Sequence, residues 1–203
     1  MITRFAAAAV AAVMSISTAI AGDHPEAEEF VIGLVTDLRA KAEAEGEGSA
    51  AVRATLEENL AAEQIGAFLL AGSAAKNATD EETATYQELF PRYIAAAYAE
   101  EIGQLTSREI NVKASLERRP GDYIVQSVLV DKAGRPRADI DWRVRKLETG
   151  EHKLLDVLVE RTSPLITRRQ AFSSRVRDEG MEGLLTHMQE TIAKGVTIEE
   201  EAE

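Results

Sequence analysis

The sequence contains no cysteine, so it can form no disulfide, thiol nucleophile or thiolate metal site. Its three histidines, His24, His152 and His187, lie far apart, without the close spacing typical of metal ligands. A glycine-rich phosphate loop is also missing, and the residues around Ser163, "RTSPL", lack the glycines of a nucleophile elbow. These absences favour binding over catalysis, with neither a metal nor a cofactor.

Long apolar runs are missing after the first 21 residues. Residues 1–21 carry one charge, an alanine-rich stretch and the small-x-small pattern Ala19-Ile20-Ala21, which is typical of a secretory signal peptide rather than of a membrane anchor. No later segment approaches the roughly 18 apolar residues of a membrane span. We therefore expect residues 1–21 to be cleaved, residues 22–195 to form one exported domain, and residues 196–203 to be a solvated acidic tail.

The net charge of −12 is unevenly distributed. Residues 22–107 hold 5 basic and 17 acidic side chains, residues 108–177 hold 16 and 10, and residues 178–203 hold 1 and 8. An acidic chain with a basic middle is a poor ligand for nucleic acid, because most of its field repels phosphate. We expect no nucleic-acid partner.

Hydrophobic periodicity divides the chain at Arg108. Before it, apolar residues recur at helical spacing, and Thr79 with Glu82 predicts a capping box at the start of an aromatic-rich helix. After it, alternation predicts strands at 109–116, 123–130, 139–145 and 153–159, joined by short turns. In the first strand, Ile110, Val112, Ala114 and Leu116 are expected on one face.

Two more helices follow the strands. Ser163-Pro164 predicts a helix start, with Ser163 as the cap, and Gly180 a break before the last helix. The predicted fold is α+β: a curled four-stranded antiparallel sheet packed with about five helices, similar to nuclear transport factor 2. Asp139 and Asp141 alternate with Arg143 and Arg145, which predicts cross-strand ion pairs rather than an acid/base pair.

The predicted elements offer more apolar surface than a thin helix layer needs to cover. Strand 123–130 is apolar on both faces, strand 139–145 has one apolar face, and the helix around Tyr93 has a wide one. Pattern alone leaves two interpretations open, a dry core and a ligand cavity.

The segment from Ala138 to Met188 resembles the MlaC family of periplasmic phospholipid-binding proteins, also called the toluene-tolerance family. The residues that carry this resemblance are Trp142, Arg143, Arg145, Lys146, Asp156, Val159, Glu160, Ser163, Arg169, Phe172, Gly180, Gly183, Leu184 and Leu185. Upstream, "IGAFLL" and "LFPRYIAAAYAEEI" are similar to two further stretches of the family. The chain departs from the pattern at His152, at Arg161-Thr162, which replace a Gly-Val pair, at Pro164, and at Arg168, which replaces an aromatic residue.

The resemblance implies a periplasmic carrier that binds phospholipid as cargo and moves it between an inner-membrane MCE-domain ABC transporter complex and an outer-membrane lipoprotein complex. It implies no enzyme activity, and we expect a monomer. Acyl tails would lie between sheet and helices in a slot lined by Phe68, Phe90, Tyr93, Ile94, Ile110, Val112, Val125, Ile140, Trp142, Val144, Val157, Val159 and Phe172. A carrier for another apolar lipid such as a hopanoid, a related α+β enzyme, and a structural periplasmic protein remain alternatives.

Three arginines near the last strand have separate expected roles. Arg169 matches the family arginine, and we expect it to form a structural ion pair with Asp156 or Glu160. Arg161 and Arg168 are expected at the cavity rim, where they would meet a lipid phosphate or an acidic docking surface. The alternative for this cluster is solvated surface charge.

Overall fold

The computed structural model describes residues 24–72 and 78–200, with side chains as far as residue 195. The predicted signal peptide lies outside the described residues, and the side chains of the predicted acidic tail lie outside them too. None of the described helices is both long enough and apolar enough to cross a membrane.

Four helices come first: α1 (Pro25–Glu45), α2 (Ala50–Asn59), α3 (Ala62–Leu70) and α4 (Asp80–Thr106). The predicted capping box opens α4, since the Glu82 amide donates to Thr79 Oγ1 (3.1 Å) and the Thr79 amide donates to Glu82 Oε2 (2.8 Å). The chain breaks between α2 and α3, where the Ala61 amide donates to the Leu154 carbonyl of the sheet (2.9 Å). This contact makes α3 a separate helix.

The sheet consists of β1 (Glu109–Arg119), β2 (Asp122–Val130), β3 (Pro136–Lys146) and β4 (His152–Val159). The strands pair in the order β1-β2-β3-β4, and all pairs are antiparallel. The sheet is open, and with the five helices it confirms the predicted α+β fold.

A register shift in β1 corrects the predicted face of two residues, Ala114 and Leu116. Val112 pairs with Ser127 and Ala114 with Gln126, so Lys113 is an extra residue in the ladder. A bulge of this kind reverses the alternation beyond it. Ser115 is therefore buried, and Leu116, expected on the inner face with Ile110, is 41% exposed.

The inner face of the sheet packs against the helices around Trp142. The indole Nε1 donates to Ser127 Oγ (2.9 Å), and this hydroxyl donates to the Ile140 carbonyl (2.9 Å). Ile140, Trp142 and Val144 are fully buried. The hydrogen bonds satisfy the only polar atom of the indole, so the largest side chain of the core lies in one fixed orientation.

The outer face carries an ion cluster different from the predicted one. Arg143 donates from Nε and Nη2 to both carboxylate oxygens of Asp122 (3.0 and 2.8 Å), and Arg119 approaches the same group. Asp139 and Asp141, predicted as partners of Arg143 and Arg145, form no ion pair within the described part of the chain. Arg143 on β3 pairs with Asp122 on β2, because the Asp122 carboxylate is buried and an unpaired buried charge is costly.

The last helix, α5 (Pro164–Glu200), starts at the predicted proline and has its backbone break at Gly180, also as predicted (φ 74°). Ser163 does not act as the expected cap: its hydroxyl accepts from none of the described amides of the first turn and instead donates to Asp156 Oδ2 (2.5 Å). The junction is thus fixed by a bond from helix start to strand.

Candidate functional site

An apolar cavity of about 250 Å³ lies beside β4, enclosed by α3, the second half of α4 and the start of α5. Its inner end is formed by Leu60, Ile65, Ile94 and Leu154, all of which are buried. None of these four side chains carries a polar group, so the inner end favours an apolar ligand.

The opposite end of the apolar cavity is its mouth. Glu101, Gln104 and Arg108 line this end from α4 and its C-terminal flank, and all three are exposed. Val159, at the end of β4, is 40% exposed. The site is therefore an apolar slot that opens to solvent through a polar rim.

The size of the apolar cavity limits what it holds in this conformation. Small-molecule pockets typically measure about 300–1,000 Å³, and a dry cavity of about 150 Å³ holds one benzene molecule. By that scale the cavity holds about ten carbon atoms, part of one long acyl chain. A two-tailed lipid requires the slot to widen.

Three of the predicted lining residues meet in the apolar cavity: Ile94 from α4 and Val157 and Val159 from β4. Tyr93 and Phe172 line an adjacent groove, named here the His187 groove, which is bounded by Pro164, Arg168 and His187. Phe68 lies on the outside, in a second groove with Arg118 and Ile166. The lipid-binding role of all of these residues stays a prediction.

The other predicted lining residues lie in or against the packed core. Phe90, Val125, Ile140, Trp142 and Val144 are buried, and Ile110 and Val112 are partly buried against the core. The sheet side of the cavity is formed by β4 alone, because the helices cover the middle of the sheet.

Sequence reasoning missed several residues of the wall. Tyr98, Ile102 and Leu105 follow Ile94 on one face of α4, and Leu165 completes the wall from α5. Their spacing of three or four residues continues the apolar face of the helix, which is the pattern that points to them.

Arg168 is held by two tyrosines of α4. Its Nη1 donates to the Tyr93 hydroxyl (3.1 Å), its Nε donates to the Tyr98 hydroxyl (3.2 Å), and its guanidinium lies 4.5 Å from the centre of the Tyr98 ring. Burial raises the pKa of Tyr98, although the nearby guanidinium opposes the shift. The Tyr98 hydroxyl is thus neutral and free to accept.

The other two arginines differ from Arg168 and from expectation. Arg169 forms no ion pair with any described residue, and its guanidinium lies 4.7 Å from the centre of the Phe68 ring. Of the two carboxylates predicted as its partners, Asp156 accepts from Ser163 and Glu160 accepts from the Asp139 amide. The predicted ion pair is therefore wrong: in the described structure the guanidinium of Arg169 contacts the Phe68 ring and neither of these carboxylates.

Arg161 lies in the exposed turn after β4, with the left-handed φ of 62°. It is not among the described residues that line the apolar cavity or its neighbouring grooves. Left-handed backbone favours glycine, so the arginine at this position is held in a strained conformation.

Asp156 separates the apolar cavity from the groove that contains Phe68. Burial raises its pKa, while hydrogen bonds from the Ser163 hydroxyl and the Val157 amide favour the ionised form. Asp156 and Ser163 are two of the residues by which the chain resembles its family, and here they contact each other.

The described residues contain no group of three or more histidine, aspartate or glutamate side chains placed to hold a metal ion. The charged groups that line the apolar cavity are Glu101 and Arg108 at its rim and Asp156 in its β4 wall, where the Ser163 hydroxyl donates to the carboxylate. The arrangement therefore suits the binding of an amphipathic molecule, with its apolar part inside and its polar part at the mouth.

Comparisons with known proteins agree with this geometry. The family model for the MlaC protein matches residues 29–190. Among solved structures, a phospholipid-binding protein from Ralstonia solanacearum, determined in complex with a phospholipid, is similar with a TM-score of 0.61 at 19% sequence identity. The match covers 84% of this chain and 98% of that chain. At this identity the structural likeness concerns the fold, while the family match spans most of the sequence. The chain is a member of the MlaC family.

Proposed function

We propose that the protein is a phospholipid-binding carrier of the periplasm. The observation that carries this proposal is the apolar cavity, which has a closed apolar end and a polar mouth. The match to a fold that holds a phospholipid in the Ralstonia protein supports it. Each methylene moved out of water contributes about 0.8 kcal/mol, so a slot for even part of a tail supplies a large share of the binding free energy.

The proposal includes transport between two membranes. The protein would receive phospholipid from one membrane complex and deliver it to another, an outer-membrane lipoprotein complex at one end and an inner-membrane MCE-domain ABC transporter complex at the other. A carrier of this kind needs a cavity that closes when empty, because an open apolar slot would expose its lining to water.

Lipid extraction tests the binding step. Protein purified without detergent is extracted with organic solvent, and the extract is examined by mass spectrometry for diacyl phospholipid at close to one molecule per protein. Recovery of a hopanoid or another apolar lipid instead would contradict the proposed cargo. Recovery of no lipid, together with no uptake from vesicles, would contradict a lipid-binding function.

A transfer assay tests the carrier step. Donor vesicles with a fluorescent phospholipid are mixed with unlabelled acceptor vesicles, and we expect the transfer rate to rise in proportion to protein concentration. A protein that holds lipid but leaves the transfer rate unchanged would contradict the carrier proposal while leaving lipid binding intact.

A further inference from the structure

Arg168 is a half-buried cation without an ion-pair partner among the described residues. Moving a charge out of water is costly, and a half-buried arginine is ordinarily compensated by a carboxylate. Here two neutral hydroxyls and one aromatic face take that place. Glu101 lines the same groove but forms no ion pair with Arg168 in the described structure.

Of the other charged groups of the His187 groove, Glu101 is exposed to solvent at its edge, and the remaining acidic and basic side chains are paired. Arg175 forms an ion pair with Glu179 (2.8 Å), and Asp178 is bound by Arg177 (2.9 Å). Burial lowers the pKa of His187, which disfavours the charged form of this imidazole. The uncompensated positive charge of the groove therefore lies at Arg168.

The geometry leaves Arg168 free to bind an anion. A guanidinium has five N–H donors, and the two tyrosines accept two of them. The remaining donors include both hydrogens of Nη2, and a planar guanidinium suits two oxygens of one phosphate group. The tyrosines also fix the side chain before a ligand arrives, which lowers the entropic cost of binding.

Arg168 also lies next to the apolar cavity. The Tyr98 ring beneath its guanidinium is part of the cavity wall, and Glu101 and Pro164 line both the cavity and the His187 groove. An acyl chain inside the cavity would thus leave its attached polar group within reach of the guanidinium.

We propose that Arg168, positioned by Tyr93 and Tyr98, forms a phosphate-binding site for the phosphodiester of a lipid whose tail occupies the apolar cavity. The site makes the protein select phosphate-bearing lipids over neutral lipids with the same tails. This inference rests on the proposed function. Free inorganic phosphate has the same chemistry, so the experiment separates the two sources.

The test compares two lipids with identical acyl chains, a phosphatidylglycerol and the corresponding diacylglycerol, each offered in neutral vesicles to delipidated protein. We expect the wild-type protein to prefer the phospholipid by tenfold or more, since hydrogen bonds to a charged group are the stronger class. In Arg168→Met, phospholipid uptake should fall by about that factor while diacylglycerol uptake stays unchanged. Arg168→Lys, which keeps the charge but loses the planar fork, should keep part of the preference.

Arg169→Met is the matched control, because it removes the same charge one residue away, beside Phe68 rather than at the cavity. It should leave the preference intact. If Arg168→Met takes up less of both lipids by the same factor, Arg168 has only a structural role. If the wild-type protein shows no preference for phosphatidylglycerol over diacylglycerol, the proposed phosphate-binding site is wrong. A wild-type protein that takes up neither lipid would instead refute the proposed function.

A further arm uses inorganic phosphate alone. The Nε–H resonance of Arg168 is followed by NMR in delipidated protein during a phosphate titration, and phosphatidylglycerol is then added in short-chain form. We expect a larger shift at much lower concentration with the lipid. A shift with inorganic phosphate but none with the lipid would overturn the assignment to a headgroup.

Discussion

Replacing Val157 by phenylalanine fills the apolar cavity from its sheet side. Val157 is half-buried on β4, pairs with Trp142 across the sheet, and lines the cavity. The substitution adds four non-hydrogen atoms to a side chain that borders empty space. Fold and surface charge are unchanged, so the variant tests the cavity alone.

The expected loss of lipid affinity follows from the volume of the apolar cavity. If the cavity of about 250 Å³ holds about ten carbon atoms, their burial contributes about 8 kcal/mol at about 0.8 kcal/mol per methylene. The phenyl ring displaces about four of these carbons, which removes about 3 kcal/mol. Lipid affinity should therefore fall by about 100-fold.

The assay is the uptake of fluorescent phospholipid by delipidated protein, read together with the melting temperature. Val144→Phe is the matched control, because Val144 is fully buried on the neighbouring strand and does not line the cavity. Overpacking should cost that control about 1–3 kcal/mol of stability without a selective loss of lipid affinity, whereas Val157→Phe should stay close to the wild-type stability. Unchanged lipid uptake in a folded Val157→Phe variant would refute the assignment of the tail to this cavity.

Three further predictions concern stability. Arg161→Gly should raise the melting temperature by about 2–4 °C, because glycine removes the strain of a left-handed φ at a net gain of about 1 kcal/mol; a lower melting temperature contradicts this. Arg143→Met should destabilise the fold by about 3 kcal/mol at pH 7, since it leaves the buried carboxylate of Asp122 poorly compensated. Burial opposes ionisation of Asp122, but the arginines hold the pKa of its carboxyl below the ordinary value. The ion pair therefore stabilises the fold fully above about pH 4, and this contribution is lost as the pH falls through the pKa of Asp122 in the folded protein. The free energy of unfolding is measured by urea titration between pH 5 and 2. If it falls as steeply with pH in Arg143→Met as in the wild type, the ion pair with Asp122 is not the source of this acid sensitivity. Gly103→Ala should destabilise by about 1–3 kcal/mol, because the new Cβ would clash with the backbone carbonyl oxygen of Glu47 in the loop after α1. Gly33→Ala, with open space around it, should stabilise by up to about 1 kcal/mol, and equal changes in the two melting temperatures would contradict the close approach at Gly103.

Interactions within one strand or helix were predictable from the sequence. The capping box of Thr79 and Glu82 needs only residues three apart, and it forms as expected. The four strands follow from alternation, and their short turns leave a meander as the simplest pairing. These features depend on residues that are close together in the sequence, so they can be predicted from it.

Interactions between elements were harder to predict. The bulge at Lys113, which turns Leu116 outward, depends on how β1 pairs with β2. The alternation of apolar and polar residues within β1 does not predict it. Arg169 was assigned a carboxylate from its family position, but the distances between α5, β4 and α3 place it over Phe68.

The amino-acid sequence alone predicts the α+β fold, the family and the excess of apolar surface. The position at which this apolar surface borders a cavity depends on how the helices pack on the sheet. Trp142 and Val144 have the same apolar pattern as Val157, but the helices fill the space above the first two and leave it empty beside the third. Periodicity shows which side chains avoid water, because that depends on one element at a time. Whether the space opposite them is occupied depends on the packing of several elements, and that distinction separates the core of this protein from its candidate site.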